Sequence, residues 1–238
     1  MARATATATA TSEFARRRHL VFALAGLGHA SVVMWAMAAS RAEFAAQAGI
    51  AASDTLGAMV GLAYAALWAW LAFDRLDTRS GVSLIHGWCR RGLRPLALFI
   101  GAEVVTLVSV WGTPASELEF FRQNWLDAFV ADGALLVGYL VTTRVASSLA
   151  EELVHRALLL RALEGYFERP IDALVVHAVV FELVHIFAYG LPFSGGVWFV
   201  WGLLYGYAFQ ATRSIALPTA MHVVHNLGLA ALVWHLTG

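Results

Sequence analysis

The most unusual stretch of the sequence runs from Ala150 to Leu160 and reads AEELVHRALLL. It places two adjacent carboxylates, Glu151 and Glu152, beside an imidazole and a guanidinium in a chain that is 60% hydrophobic. Ionisable groups are expensive inside a bilayer, and those that are retained there usually serve a function. The chemistry that these types of side chain support is general acid–base catalysis.

Residues four apart lie on one face of a helix, and this spacing indicates which of the polar side chains can contact each other. Glu152 and Arg156 have that spacing and are expected to form an ion pair, which lowers the cost of burying both charges. The Glu151 side chain points about 100° away from that of Glu152, so its carboxylate is available for a different interaction.

Two later apolar segments repeat the same spacing. FELVH contains Phe181 and His185, and HVVHN contains His222 and Asn226. A free carboxylate, two imidazoles and a carboxamide form a set that can activate water and stabilise an oxyanion.

The elements that must position these groups are membrane-spanning helices. The mean hydropathy is +0.68, only 13% of residues are charged, and there are nine Trp, which is far from the composition of a soluble domain. A span needs roughly 20 apolar residues to cross about 30 Å of hydrocarbon. About seven such windows are present, at 19–40, 55–73, 95–112, 133–163, 170–188, 195–211 and 215–236.

We therefore predict an all-α fold, a polytopic transmembrane helix bundle. Residues 1–18 are predicted to form a disordered cytoplasmic tail, and residues 19–238 a single transmembrane domain with its catalytic motifs in about 140–230. All sixteen basic residues are Arg, and they concentrate before the first span and in alternate loops. The positive-inside rule then predicts a cytoplasmic N-terminus.

The composition also indicates the location and the partners of the protein. We expect an integral, multi-pass membrane protein in contact with the lipid bilayer. The net charge is zero and no basic stripe with interleaved aromatic residues is present, so nucleic acid is not expected as a partner.

Depth along the helices brings the polar groups together. If the fourth span continues to about Leu163, Glu151 lies about 18 Å from its cytoplasmic end, at 1.5 Å per residue. By the same measure, His185 lies about 22 Å and His222 about 14 Å from the cytoplasmic ends of their helices. Three helices are thus predicted to place their polar side chains in one layer near the middle of the membrane.

The ordered set of motifs resembles the CAAX protease and bacteriocin-processing (CPBP) family of intramembrane proteases. The resemblance covers about residues 130–236, and WGLLYGYAFQATRSIALPTAMHVVHN is similar to the last helical pair of that family. It implies an intramembrane endopeptidase whose helical bundle opens toward the cytoplasm. The expected substrate is a membrane-associated protein or peptide, and the expected location is a bacterial cytoplasmic membrane. The motifs that carry the resemblance are EExxxR (Glu151, Glu152, Arg156), FxxxH (Phe181, His185) and HxxxN (His222, Asn226).

The resemblance also implies roles for these residues. Glu151 would be the general base that takes a proton from the attacking water, and His185 would help to hold that water. His222 and Asn226 would donate hydrogen bonds to the oxyanion. Glu152 and Arg156 would brace the helix, with Phe181 as the remaining supporting residue of the motifs.

No cofactor and no metal are expected, but two alternatives stay open. Glu151, His155, His185 and His222 include a competent Zn²⁺ site, so a zinc-dependent form of the same reaction is the first alternative. The second is a non-catalytic membrane scaffold or immunity protein with the same fold. Outside the motifs, we expect Glu103 to have a structural partner such as Arg144, and His155 is close enough in sequence to touch Glu151.

Overall fold

A computed structural model describes residues 91–114, 144–189 and 196–237, together with 17, 20–21, 23–26, 28, 59–60, 63, 67 and 118. Every regular element in this part of the chain is helical. The elements are α1 (Leu93–Trp111), a mixed helix over 144–166, α3 (Pro170–Tyr189), α4 (Val197–Thr212) and α5 (Ala216–Thr237). The mixed helix is α-helical over 144–152, forms a π-helix over Leu153–Leu160 and ends in α2 (Arg161–Tyr166).

Three of the described helices are long and apolar enough to cross a membrane, at Leu93–Trp111, Pro170–Phe187 and Ala216–Thr237. They coincide with predicted spans, and the prediction of an all-helical membrane protein is confirmed. The predicted spans at 19–40 and 55–73 lie largely outside the described residues, as do the tail at 1–18, apart from Arg17, and residues 133–143. The number of seven spans and the cytoplasmic N-terminus stay predictions.

The two faces of α1 differ as expected for a helix at the edge of a membrane bundle. Pro95, Phe99 and Glu103 are four residues apart and are buried against the other helices. The opposite face exposes large apolar side chains, including Val105 and Val108, at 66% each. An apolar face of this kind is favourable against lipid and unfavourable against water.

The remaining helices alternate in direction. Side-chain contacts show that each of the mixed helix, α3, α4 and α5 runs antiparallel to the next. By contrast, α1 runs parallel to α5, since Glu103 contacts His225 and Trp111 contacts His235 further along both helices.

Two glycines allow α4 to approach α3 closely. A Cβ atom at Gly202 would lie 3.0 Å from the Cα atom of Ala178, and one at Gly206 would lie 2.5 Å from Leu174. This small-xxx-small spacing is typical of membrane helix pairs, in which close backbone approach increases van der Waals contact. The close contact fixes α4 relative to the helix that carries His185.

One end of the bundle is tied together by polar contacts between its helix ends. Arg213, in a left-handed conformation after α4, pairs with Glu164 of α2. Gln210 donates a hydrogen bond of 3.0 Å to the carbonyl of Pro170, which begins α3. This is the end that the distribution of arginines predicts to be cytoplasmic.

Candidate active site

The Glu152 and Arg156 side chains form the predicted ion pair. Arg156 Nη1 lies 2.9 Å from Glu152 Oε1, and both side chains are fully buried. The guanidinium lies over the Phe181 ring, 4.4 Å from its centroid, and 5.3 Å from that of Tyr205. Aromatic faces attract a cation, so Phe181 and Tyr205 stabilise the buried charge of Arg156.

Glu151 faces two imidazoles from two other helices. Its Oε2 atom lies 3.7 Å from His185 Nε2 on α3 and 3.9 Å from His222 Nε2 on α5. The Glu151 side chain is 20% exposed, whereas that of Glu152 is not exposed at all. The structure therefore has the geometry expected of the two carboxylates: one is buried in an ion pair and the other is accessible.

The opposite nitrogen of each imidazole makes a short hydrogen bond. His185 Nδ1 lies 2.8 Å from the carbonyl oxygen of Phe181, and His222 Nδ1 lies 2.9 Å from Glu152 Oε1. A carbonyl only accepts, and Glu152 Oε1 already accepts from Arg156, so both rings donate through Nδ1. In a neutral ring, Nε2 is then the acceptor nitrogen, and in both histidines it is turned toward Glu151.

Asn226 lies on the same side of the bundle, one helical turn from the carboxylates. Its Nδ2 atom donates a hydrogen bond of 3.1 Å to Ser148 Oγ, and both residues are buried. Ser148 precedes Glu151 by three residues and therefore lies on the adjacent turn of its helix. This hydroxyl, which sequence reasoning missed, orients the carboxamide of Asn226.

The structure also assigns contacts to the polar residues outside the motifs. Glu103 pairs with His225, whose Nδ1 atom lies 2.8 Å from Glu103 Oε2, where Arg144 was the expected partner. Glu182 accepts a hydrogen bond of 2.7 Å from the backbone N–H of Phe199 in the first turn of α4, so it caps that helix.

His155 does not have the contact with Glu151 that its spacing suggested. Its ring packs edge-on against Phe181, with centroids 4.9 Å apart, and against His177 at 6.0 Å. The reason is packing between helices, because the His155 ring, which lies in the π-helix, is held against the aromatic rings of α3. Such π segments occur frequently at functional sites, and this one starts directly after the two carboxylates.

A metal centre requires several ligands that converge on one point. In the described ranges, no group of three or more His, Cys, Asp or Glu is arranged to hold a metal ion. The expectation that the protein works without a cofactor stays a prediction.

Comparison with known proteins finds one family that matches part of the chain. Residues 133–228 match the Rce1-like family, described as type II CAAX prenyl endopeptidase Rce1-like. No curated protein and no solved structure is significantly similar to the chain. The matched region contains all seven motif residues. It confirms the resemblance to CPBP-family membrane proteases, while the roles of the individual residues stay predictions.

Proposed function

We propose that this chain, an integral membrane protein whose residues 133–228 belong to a family of CAAX-type peptidases, is an intramembrane endopeptidase that uses glutamate-activated water. The observation that supports this mechanism is the position of Glu151. Its carboxylate oxygen faces the Nε2 atoms of His185 and His222 at 3.7 and 3.9 Å. These separations suit groups that act on one small molecule between them.

The first step of the proposed reaction is activation of water. A water molecule between Glu151 and His185 donates one hydrogen to the carboxylate and one to the acceptor Nε2 of His185. Glu151 takes its proton while the water oxygen bonds to the carbonyl carbon of the scissile peptide. The carbonyl oxygen becomes the oxyanion, and Glu151 then passes the proton to the departing amine as the carbon–nitrogen bond breaks.

The net charge of the site supports a role for His222 as a hydrogen-bond donor to the oxyanion. The site is poorly solvated and carries a net charge of −1 when both carboxylates, Glu151 and Glu152, are ionised beside the Arg156 guanidinium. We propose that His222 carries one additional proton during the reaction, which makes the group neutral and provides an N–H at Nε2. The imidazolium then donates to the oxyanion, and the second N–H of Asn226 is the other proposed donor.

The proposed substrate is a membrane-associated protein or peptide. The family name refers to prenylated CAAX sequences, and we propose that class of substrate as the first to be tested. The reaction is proposed to need no metal. The zinc-dependent alternative assigns Glu151, His185 and His222 to an ion, and the experiments below distinguish the two.

The test begins with the natural substrate. Peptide termini are compared between membranes that contain wild-type protein and membranes that contain the Glu151→Gln variant. For each cleavage site that is lost in the variant, a fluorescence-quenched peptide that spans the site is then synthesised. Cleavage of this peptide by purified protein should fall about 100- to 10,000-fold in Glu151→Gln, the usual contribution of a general base. His185→Ala should cause a loss of similar size.

Glu168→Gln is the matched control, because it changes an exposed carboxylate at the end of the bundle. It should retain wild-type cleavage. If the two membranes yield the same peptide termini, or if Glu151→Gln cleaves as well as wild type, the enzyme proposal is wrong. A non-catalytic scaffold is then the better account.

A further inference from the structure

Three aromatic rings of α4 each pack against a histidine. Trp198, Trp201 and Tyr205 are spaced three and four residues apart and lie along one side of the helix. The Trp198 ring is 4.4 Å from that of His185, with an interplanar angle of 22°. The Tyr205 ring is 4.9 Å from that of His222, at 19°.

The middle ring of this set contacts a histidine outside the motifs. Trp201 lies 4.1 Å from His225, the partner of Glu103. We call Trp198, Trp201 and Tyr205 the aromatic row of α4. Its two outer members contact the two imidazoles that face Glu151.

The helix that carries the aromatic row is itself held firmly. Gly202 and Gly206 bring its backbone against α3, and Glu182 caps its first turn. The rings therefore form a fixed surface for the imidazoles.

A fixed surface matters because one hydrogen bond does not define the plane of a ring. His185 and His222 are each held at Nδ1 by a single acceptor, and rotation about that bond would swing Nε2 away from Glu151. A stacked aromatic ring opposes that rotation. The hydrogen bond and the stacked ring together restrain the direction of each Nε2 atom, and the Phe181 ring, 4.3 Å from that of His185, also contacts that imidazole.

We infer that Trp198 and Tyr205 are positioning residues of the proposed peptidase: the Trp198 ring aims His185 at the reacting water, and the Tyr205 ring aims His222 at the oxyanion. This inference rests on the proposed function, since it assigns a purpose to the orientation of the two imidazoles. The hydroxyl of Tyr205 has no part in it: among the described residues, none makes a hydrogen bond with that group.

The test compares loss of the ring with loss of the hydroxyl. Tyr205→Leu removes the ring, whereas Tyr205→Phe retains it. In the assay with the quenched peptide, we expect kcat to fall about 10- to 100-fold in Tyr205→Leu with KM little changed, because small misplacements of catalytic groups cause losses of this size. Tyr205→Phe should retain kcat within about twofold.

Phe209→Leu provides the matched control for packing. Phe209 is a fully buried aromatic residue one turn further along α4, in the cluster with Leu160 and Leu163. Its replacement should lower thermal stability about as much as Tyr205→Leu while leaving kcat unchanged. If Tyr205→Leu and Phe209→Leu have the same kcat, or if Tyr205→Phe is as slow as Tyr205→Leu, the inference is wrong.

Trp198 supplies an independent test, since Tyr205 also contacts Arg156 and its leucine variant removes that contact as well. Trp198 is only partly buried, and Trp198→Leu should lower kcat about 10-fold or more, with partial rescue in Trp198→Phe. Wild-type kcat in folded Trp198→Leu would overturn the inference for His185. Full activity of Glu151→Gln would instead overturn the proposed function itself.

Discussion

Replacement of Arg156 by Met should destabilise the protein strongly, because it leaves two carboxylates without their cation. Arg156 and Glu152 are both fully buried and 2.9 Å apart, and Glu151 lies on the same turn. Methionine retains most of the volume and packs well against aromatic rings, so the contacts with Phe181 and Tyr205 are partly kept. The main effect of the substitution is therefore electrostatic.

The expected size of the effect follows from this geometry. Removing one partner of a buried ion pair typically costs about 3–5 kcal/mol, because the other charge stays buried without compensation. A second change, Glu152→Gln, removes that charge and keeps an oxygen that can accept from His222 Nδ1. The double variant should therefore recover about 2 kcal/mol or more relative to Arg156→Met, which is a coupling larger than that of independent sites.

The assay is a double-mutant cycle in detergent or bicelles. Unfolding by a denaturing detergent is followed through the fluorescence of the nine Trp residues. Wild type, Arg156→Met, Glu152→Gln and the double variant are compared. A coupling below about 0.5 kcal/mol would show that the two residues act independently and would refute the assignment of Glu152 and Arg156 as the structural pair of the site.

Three further predictions follow from the structure. Cleavage should persist after exhaustive treatment with a strong chelator, and elemental analysis of the active protein measures its zinc content. The zinc mechanism would be favoured if the protein contained stoichiometric zinc, lost activity when the zinc was removed and regained it when zinc was added back. Gly202→Ala should destabilise the protein by about 1–3 kcal/mol because its Cβ would meet the backbone of Ala178, whereas Gly101→Ala, which meets no atom within 4 Å, should be neutral or slightly stabilising. Glu182→Ala should cost about 1 kcal/mol by leaving the Phe199 N–H uncapped, and Glu182→Gln should cost less; equal stabilities of the two variants would contradict the capping role.

The helices and the ion pair of the site could be predicted because they follow from local rules. Apolar length predicts a membrane helix, and the observed helices at Leu93–Trp111, Pro170–Tyr189 and Ala216–Thr237 agree with predicted spans to within a few residues. The spacing of Glu152 and Arg156 likewise determines that they share a face of one helix. In both cases the interaction depends on residues that are near in sequence.

Contacts between distant residues could not be obtained in this way. Glu103 and His225 are 122 positions apart, and only the packing of α1 on α5 brings them together. The π-helix was missed for a different reason, since no residue type in LVHRALLL favours it over an α-helix. His155 packs against Phe181 and His177 of α3, and such contacts with another helix are not encoded in its spacing from Glu151.

One feature of α4 did have a sequence signal. Gly202 and Gly206 form a GxxxG motif in an apolar segment, which is a recognised helix-packing pattern in membranes. The signal indicated a close helix contact but not its partner. The histidines that contact the three aromatic residues of the same helix lie on α3 and α5, so no local spacing predicts those contacts.

The pattern of polar contacts in the bundle distinguishes Glu151 from the other buried acids. Glu103, Glu152 and Glu182 each accept a hydrogen bond of 2.9 Å or less. Within the described ranges, by contrast, Glu151 Oε2 makes no hydrogen bond, although two imidazoles face it. Among the described residues, one oxygen of Glu103 and one of Glu152 also make no hydrogen bond, so Glu151 differs in that its unpaired oxygen faces the Nε2 atoms of two imidazoles. A group that accepts a proton from the attacking water needs an oxygen that is not already hydrogen-bonded. The Glu151 oxygen meets this requirement at the point where three helices converge, and this supports Glu151 as the proposed base.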